Sequence, residues 1–186
     1  MSVQLVTRRF TVDDFYRMAK AGILTEDDRV ELIEGQVVEM APIGRQHASR
    51  VDRLNRLLQR LVGDKAIVRV QGPVRLDPYS EPQPDVALLR PRDDFYEAAH
   101  PGPADILLLV EVADSSVVYD RQTKIPLYAQ AGIPEVWLAD LPQDVVEAHR
   151  SPSPDGYRDV QRFRRGQRIT PLAFPDLDLA VDDILG

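Results

Sequence analysis

Three side chains in this sequence have the types and the setting to do chemistry together: Asp85, Glu111 and Lys124. Asp85 follows Pro84 at the start of an apolar segment in EPQPDVALLR. Glu111 interrupts ILLLVEVAD, a run that otherwise reads as a buried strand. Burying an unpaired carboxylate costs several kcal/mol or more, above the roughly 2–7 of an unpaired neutral polar group, so a strand that carries one needs a compensating partner. Two carboxylates close together repel, and a divalent cation is one partner that relieves them. Magnesium prefers oxygen ligands and commonly takes one or two carboxylates, waters and substrate phosphates. Lys124 follows on the next helix, with Asp120 and Tyr128 one turn either side of it at i−4 and i+4. Beside such a cation, a lysine can position an attacking water or stabilise developing phosphate charge.

These groups meet only if the elements bring them together. The strands beginning at Asp85 and ending at Glu111 are sequential; antiparallel pairing puts the start of one beside the end of the other. Alternation places Asp85, Ala87 and Leu89 on one face, and Leu107, Leu109 and Glu111 on one face, so both carboxylates can share a side. The helix carrying Lys124 leaves from that end. It runs through VVYDRQTKIPLYAQAG to Gly132, with a kink or late start expected at Pro126.

Other elements are read the same way. TVDDFYRMAK opens on Thr11 with Asp14 three residues on, a capping box for a short helix. RVELIEGQVVEM reads as a hairpin turning at Glu34-Gly35. GRQHASRVDRLNRLLQRLVG is an amphipathic helix, with Val51, Leu54, Leu57, Leu58 and Leu61 on one arc and Arg45, Arg53, Arg56 and Arg60 opposite. KAIVRVQG and PEVWLADL read as strands, and PRDDFYEAAHPGPAD as a polar connection. Weaker strands are expected near Val145–His149, Tyr157–Arg162 and Arg168–Thr170. The core order is helix, three strands, helix, strand, preceded by a hairpin. This is a mixed-sheet α/β protein, with residues 1–186 read as a single domain.

Composition limits the function classes. The 186 residues are 44% hydrophobic and 28% charged, enough for an ordered core. Without cysteine, disulfides and thiolate metal sites are excluded. MSVQLVTRRF has no apolar signal core, and no aliphatic run is long enough to span a bilayer, so a cytoplasmic protein without membrane contact is expected. The net charge of −7 argues against nucleic acid, but it averages unlike blocks. Residues 44–76 carry +6 and residues 77–120 carry −8. The arginine face at 45, 53, 56 and 60 suits phosphates or simply solvent, the two weighing about equally.

The joint order of RVELIEG, EPQPDVALL, LLLVEVADSS, YDRQTK and AGIPEVW, from about Val30 to Leu141, resembles the Uma family of bacterial restriction-endonuclease-like proteins. FPDLDLAVDDIL extends the likeness more loosely. Pro84-Asp85, then Glu111, then a lysine resembles the wider PD-(D/E)XK nuclease superfamily. The resemblance implies a restriction-endonuclease-like αβββαβ core with an added N-terminal hairpin. It also implies a metal-dependent endonuclease that hydrolyses DNA phosphodiesters with Mg2+ or Mn2+, with DNA as a partner; a homodimer is expected because double-strand cutters need two sites. Asp85 and Glu111 are then the metal ligands, joined by the Val112 carbonyl. The superfamily's usual lysine, two residues after the glutamate, is here Ala113, so the resemblance implies that Lys124 has taken over. Glu31 is an auxiliary carboxylate by the same likeness, and His47 an auxiliary group at the start of the arginine helix.

Each residue also has a plainer reading. Asp85 suits a strand start that satisfies loop amides, and Glu111 a structural ion pair. Lys124 alone is an ordinary helix lysine, His47 a core histidine, and Glu31 a sheet-surface glutamate. Gln71, at its strand end, is a weaker candidate. Trp137 and Tyr128 read as core, and His100 and His149 have no evident partners. A catalytically inactive nuclease fold kept as a binding or assembly module fits the acidic charge and the displaced lysine. Hydrolysis of a small phosphorylated or acylated molecule at the same metal site is a third reading.

Overall fold

The computed structural model describes residues 7–25 and 27–186. The signal-core reading rests partly on residues 1–6, outside the described residues. Helix α1 (Val12–Lys20) starts at the expected capping box: the Asp14 amide donates to Thr11 Oγ1 at 3.1 Å, and the Thr11 amide to Asp14 Oδ2 at 3.0 Å. Strands β1 (Val30–Ile33) and β2 (Gln36–Glu39) form the hairpin. Its two turn residues, Glu34 and Gly35, have φ of 49° and 80°, which matches the right-handed twist of the strands. A Cβ at Gly35 would meet Arg9 Cβ at 2.6 Å, so this turn needs glycine for space as well as for φ.

The main sheet has six strands in the order β3 (Ile67–Val70), β4 (Val86–Leu89), β5 (Ile106–Ala113), β6 (Glu135–Asp140), β7 (Val145–Ser153), β8 (Gly156–Arg164). All neighbours are antiparallel except β5 and β6, which run parallel because a helical crossover joins them. Helix α2 (Arg45–Val62) covers one face, setting Val51, Leu54, Leu58 and Val62 against Val86, Leu88, Leu108 and Val110. The crossover covers the other, where Ile125, Leu127 and Tyr128 meet Ala87, Leu89, Leu109 and Leu138. Strands β4 to β6 are buried on both faces, which is why they read as continuous apolar runs.

The crossover is not a uniform helix. It begins as α3 (Val117–Tyr119), widens to π geometry over Asp120–Lys124, and resumes as α4 (Ile125–Gln130). Pro126 lacks an amide hydrogen and its ring crowds the carbonyl four residues back, so a wider turn just before it relieves the clash. The expected irregularity at Pro126 is therefore a widened turn. Arg121 anchors it, donating to Asp140 Oδ2 at 2.8 Å and Glu147 Oε2 at 3.2 Å.

The strands expected near Val145–His149 and Tyr157–Arg162 form but run longer: β7 and β8 are nine residues each and extend the main sheet. Polar residues in both strands and Pro152 in β7 weaken the sequence signal, and β8 is a solvated edge. Strands β9 (Arg168–Ile169) and β10 (Leu179–Ala180) form a small pair before α5 (Val181–Leu185), whose Val181, Ile184 and Leu185 join the core under α2. The fold is a mixed α/β sheet with the expected αβββαβ core order, running α2, β3, β4, β5, the crossover and β6. Among the described residues, no helix is long and apolar enough to cross a membrane.

Candidate active site

Register places the first two groups. Val86 pairs with Val110 across β4 and β5, so one step further Asp85 faces Glu111 at the same end of the sheet. Asp85 is held from three sides. Its Oδ2 accepts the Val112 amide at 2.9 Å and lies 3.0 Å from His47 Nε2; its Oδ1 accepts Gln71 Nε2 at 3.3 Å. Gln71 reaches it from a left-handed position, φ 47°, and donates its amide to the Asp85 carbonyl at 3.0 Å. Val112 thus touches the site through its amide.

Glu111 is 2% exposed, and both its polar contacts fall on Oε1: Tyr128 Oη at 2.6 Å and Lys124 Nζ at 3.3 Å. Lys124 comes from the last residue of the π turn and is 6% exposed. Its ammonium also lies 3.3 Å from Glu31 Oε2 and donates to the Gln83 carbonyl at 3.3 Å. Glu31, on β1, additionally accepts the Gln83 amide at 3.0 Å and Tyr119 Oη at 3.1 Å. Asp120 accepts Ser116 Oγ at 2.6 Å.

These groups open on a cleft of about 420 Å³. Glu31, His47, Gln71, Asp85, Glu111, Asp120 and Lys124 line it, together with the mostly apolar segment 38–44. Among the described residues, six lining carboxylates (Glu31, Glu39, Asp85, Glu111, Asp114 and Asp120) are set against Arg29, Lys124 and His47. Burial pushes Glu111 up to about 8, aided by the negative charges of Asp120 and Asp85 and opposed by Lys124 and Tyr128. Burial likewise raises Asp120. Lys124 moves up: burial would neutralise it, but Glu111, Glu31, Asp120 and Asp85 together outweigh that and keep it charged. The hydrogen bond to Asp85 raises His47 against the opposing effect of burial.

The structure thus brings Asp85, Glu111, Lys124, Glu31, His47 and Gln71 to one cleft. It does not bring the arginines there. Arg45, Arg53, Arg56 and Arg60 are exposed along α2 and have no acidic partner within 4 Å among the described residues. His100 stacks on Tyr16, with centroids 6.4 Å apart, and His149 is buried on β7, 3.3 Å from Glu147 Oε2. His47 Nδ1 is buried without a hydrogen-bond partner among the described residues, so it is not a satisfied core histidine. Sequence reasoning takes Tyr128 as core and misses Tyr119 and Gln83. The Asp120, Lys124, Tyr128 ladder at four-residue spacing is the signal for Tyr128; Gln83 contributes backbone, which no side-chain pattern reveals.

The donor set suits a hard divalent cation. The donors are carboxylate oxygens, the lining carboxylates outnumber the lining basic groups, and both contacts to Glu111 leave Oε2 uncontacted. Among the described residues, no three acidic or histidine side chains converge into a ready-made cage. Such a cation would rest on two carboxylates plus waters, the habit of magnesium.

A solved structure with the same architecture is "a putative nuclease belonging to DUF820" from Anabaena variabilis ATCC 29413: 17% identical, TM-score 0.69, covering 95% of this chain and 97% of that one. At that identity the likeness is one of fold. No curated protein matches the chain. A family model described as "Putative restriction endonuclease" matches residues 12–182, nearly the whole chain. The chain belongs to this family, Uma2.

Proposed function

We propose that this protein is a divalent-metal-dependent endonuclease hydrolysing DNA phosphodiester bonds at the Asp85–Glu111–Lys124 cleft. The observation that carries the reading is the facing pair Asp85 and Glu111 at one strand end, with Lys124 Nζ 3.3 Å from Glu111. Membership of a restriction-endonuclease family supports it.

Asp85 and Glu111 would hold Mg2+ or Mn2+, with the Val112 carbonyl as a further oxygen. The cation, when bound, supplies Lewis-acid neutralisation of the scissile phosphate and lowers the pKa of water. The rest falls to the chain's own groups. His47, Gln71 and the Val112 amide fix the Asp85 carboxylate. Tyr128 and Lys124 fix Glu111 through one oxygen. Lys124 stays protonated, so it serves as a charge that orients water or steadies phosphate, not as a general base. The α2 arginines would hold flanking phosphates, and a double-strand cut would need two copies, hence a homodimer.

A second reading has one observation in its favour. The three short contacts of the Lys124 ammonium are all to protein acceptors, which suits a metal-binding or assembly module without turnover. Plasmid cleavage with Mg2+ or Mn2+ separates the two, comparing wild type with Asp85→Ala and Lys124→Ala, each checked for folding. The nuclease reading expects metal-dependent nicking, reduced about 10²-fold or more in each folded variant. Metal binding without cleavage of any DNA form would favour the module.

A further inference from the structure

We infer that Glu31 is a positioning residue: it is the anchor that holds Lys124 in place of the missing lysine at Ala113, and it does not ligate metal. The inference rests on the proposed metal site and refines it.

Both oxygens of Glu31 are already used. Oε2 takes the Gln83 amide at 3.0 Å and lies 3.3 Å from Lys124 Nζ; Oε1 takes Tyr119 Oη at 3.1 Å. The residue is 1% exposed. A metal ligand needs an oxygen open toward the cleft: Asp85 is also contacted through both oxygens, but its side chain is 14% exposed, whereas that of Glu31 is 1% exposed and held by three protein donors. Glu111 differs, since both its contacts share Oε1.

The ammonium geometry leads the same way. Lys124 has three hydrogens and three acceptors at 3.3 Å: Glu111 Oε1, Glu31 Oε2 and the Gln83 carbonyl. Two of these depend on Glu31, because the Gln83 amide that it binds fixes the carbonyl beside it. Gln83 also ties to β1 through Nε2, which donates to the Val30 carbonyl at 3.2 Å. A lysine two residues after Glu111 would be held by β5 itself. A lysine on a crossover helix has no such strand, so the hairpin supplies the missing wall. The hairpin is thereby part of the site's framework, and Tyr119 connects the same carboxylate to α3.

The chain has three lysines, and the other two, Lys20 and Lys65, are exposed. In protein labelled with 15N at lysine Nζ, a hydrogen-bonded buried ammonium gives a slowly exchanging resonance that exposed lysines do not. Wild type is expected to show one such resonance. Glu31→Gln should abolish it, while Mn2+ affinity by calorimetry stays within about threefold; Asp85→Asn should instead lose more than about tenfold in affinity. Should Glu31→Gln fail to fold, Tyr119→Phe, which frees one oxygen of Glu31, should raise the exchange rate at least about threefold. An unchanged resonance in either folded variant overturns the inference. So does a loss of Mn2+ affinity in Glu31→Gln equal to that in Asp85→Asn. If wild type binds no Mn2+, the metal reading fails by itself, and the lysine resonance still decides the anchor.

Discussion

Lys124 Nζ lies 3.3 Å from Glu111 Oε1, although the lysine sits on the crossover and the glutamate on the strand before it. The strand position two residues after Glu111 is Ala113, fully buried in the same core cluster as Ile125 and Tyr128. The crossover occupies the room that a strand lysine would need.

A direct consequence concerns Ala113→Lys combined with Lys124→Ala. The new ammonium enters a closed apolar site, so the double variant should lose more than about 2 kcal/mol of stability and regain no activity. Urea denaturation and plasmid cleavage check both points. A stable, active double variant would show that the strand position is open.

Tyr128→Phe removes a donor from a buried carboxylate while keeping the ring. Leaving a buried acceptor without its donor costs roughly 1–3 kcal/mol, and a loss of that size is expected in urea denaturation. A change under about 0.5 kcal/mol would mean that Tyr128 is only packing.

Glu111 makes stability depend on pH. Its folded pKa, about 8, lies above the unfolded value of 4.5, so the folded state holds the extra proton between them. Stability should therefore fall as pH rises from about 4.5 to 8, by up to about 1.4 kcal/mol per pH unit. His47, also raised, adds a loss in the same direction as pH rises beyond 6.5. His149, lowered by burial, works the other way, but only below 6.5. Between pH 6.5 and 8, in chelator, Glu111→Gln should flatten most of the decline in melting temperature. An equal decline in both proteins would locate its source elsewhere.

The α2 arginines give a salt-dependent expectation. Replacing Arg53 and Arg56 with Ala should weaken DNA binding at all sequences and lower the slope of log affinity against log salt by about 0.9 for each phosphate no longer neutralised. Stability should stay within about 0.5 kcal/mol, since both residues are exposed. Fluorescence anisotropy across a salt series measures the slope; an unchanged slope assigns this face to solvent.

The central fold was legible because its logic is local. Alternation and sequential antiparallel pairing put Asp85 and Glu111 at one end before any coordinates, and the register agrees. Thr11 and Asp14 announced α1, and Glu34-Gly35 the hairpin turn. The rest depended on tertiary context. Strands β7 and β8 carry weak patterns because one is interrupted by polar residues and the other faces solvent. The roles of Tyr119 and Gln83 follow from how the hairpin folds back on the crossover, and the reach of Lys124 from a π turn that Pro126 hints at but does not specify.

If Asp85 and Glu111 share a divalent cation, as proposed, crystals soaked in MnCl2 and measured for anomalous scattering should show one strong peak between the two carboxylates, absent in Asp85→Asn. Well-ordered crystals with no peak there, or with manganese bound away from Asp85 and Glu111, would contradict it.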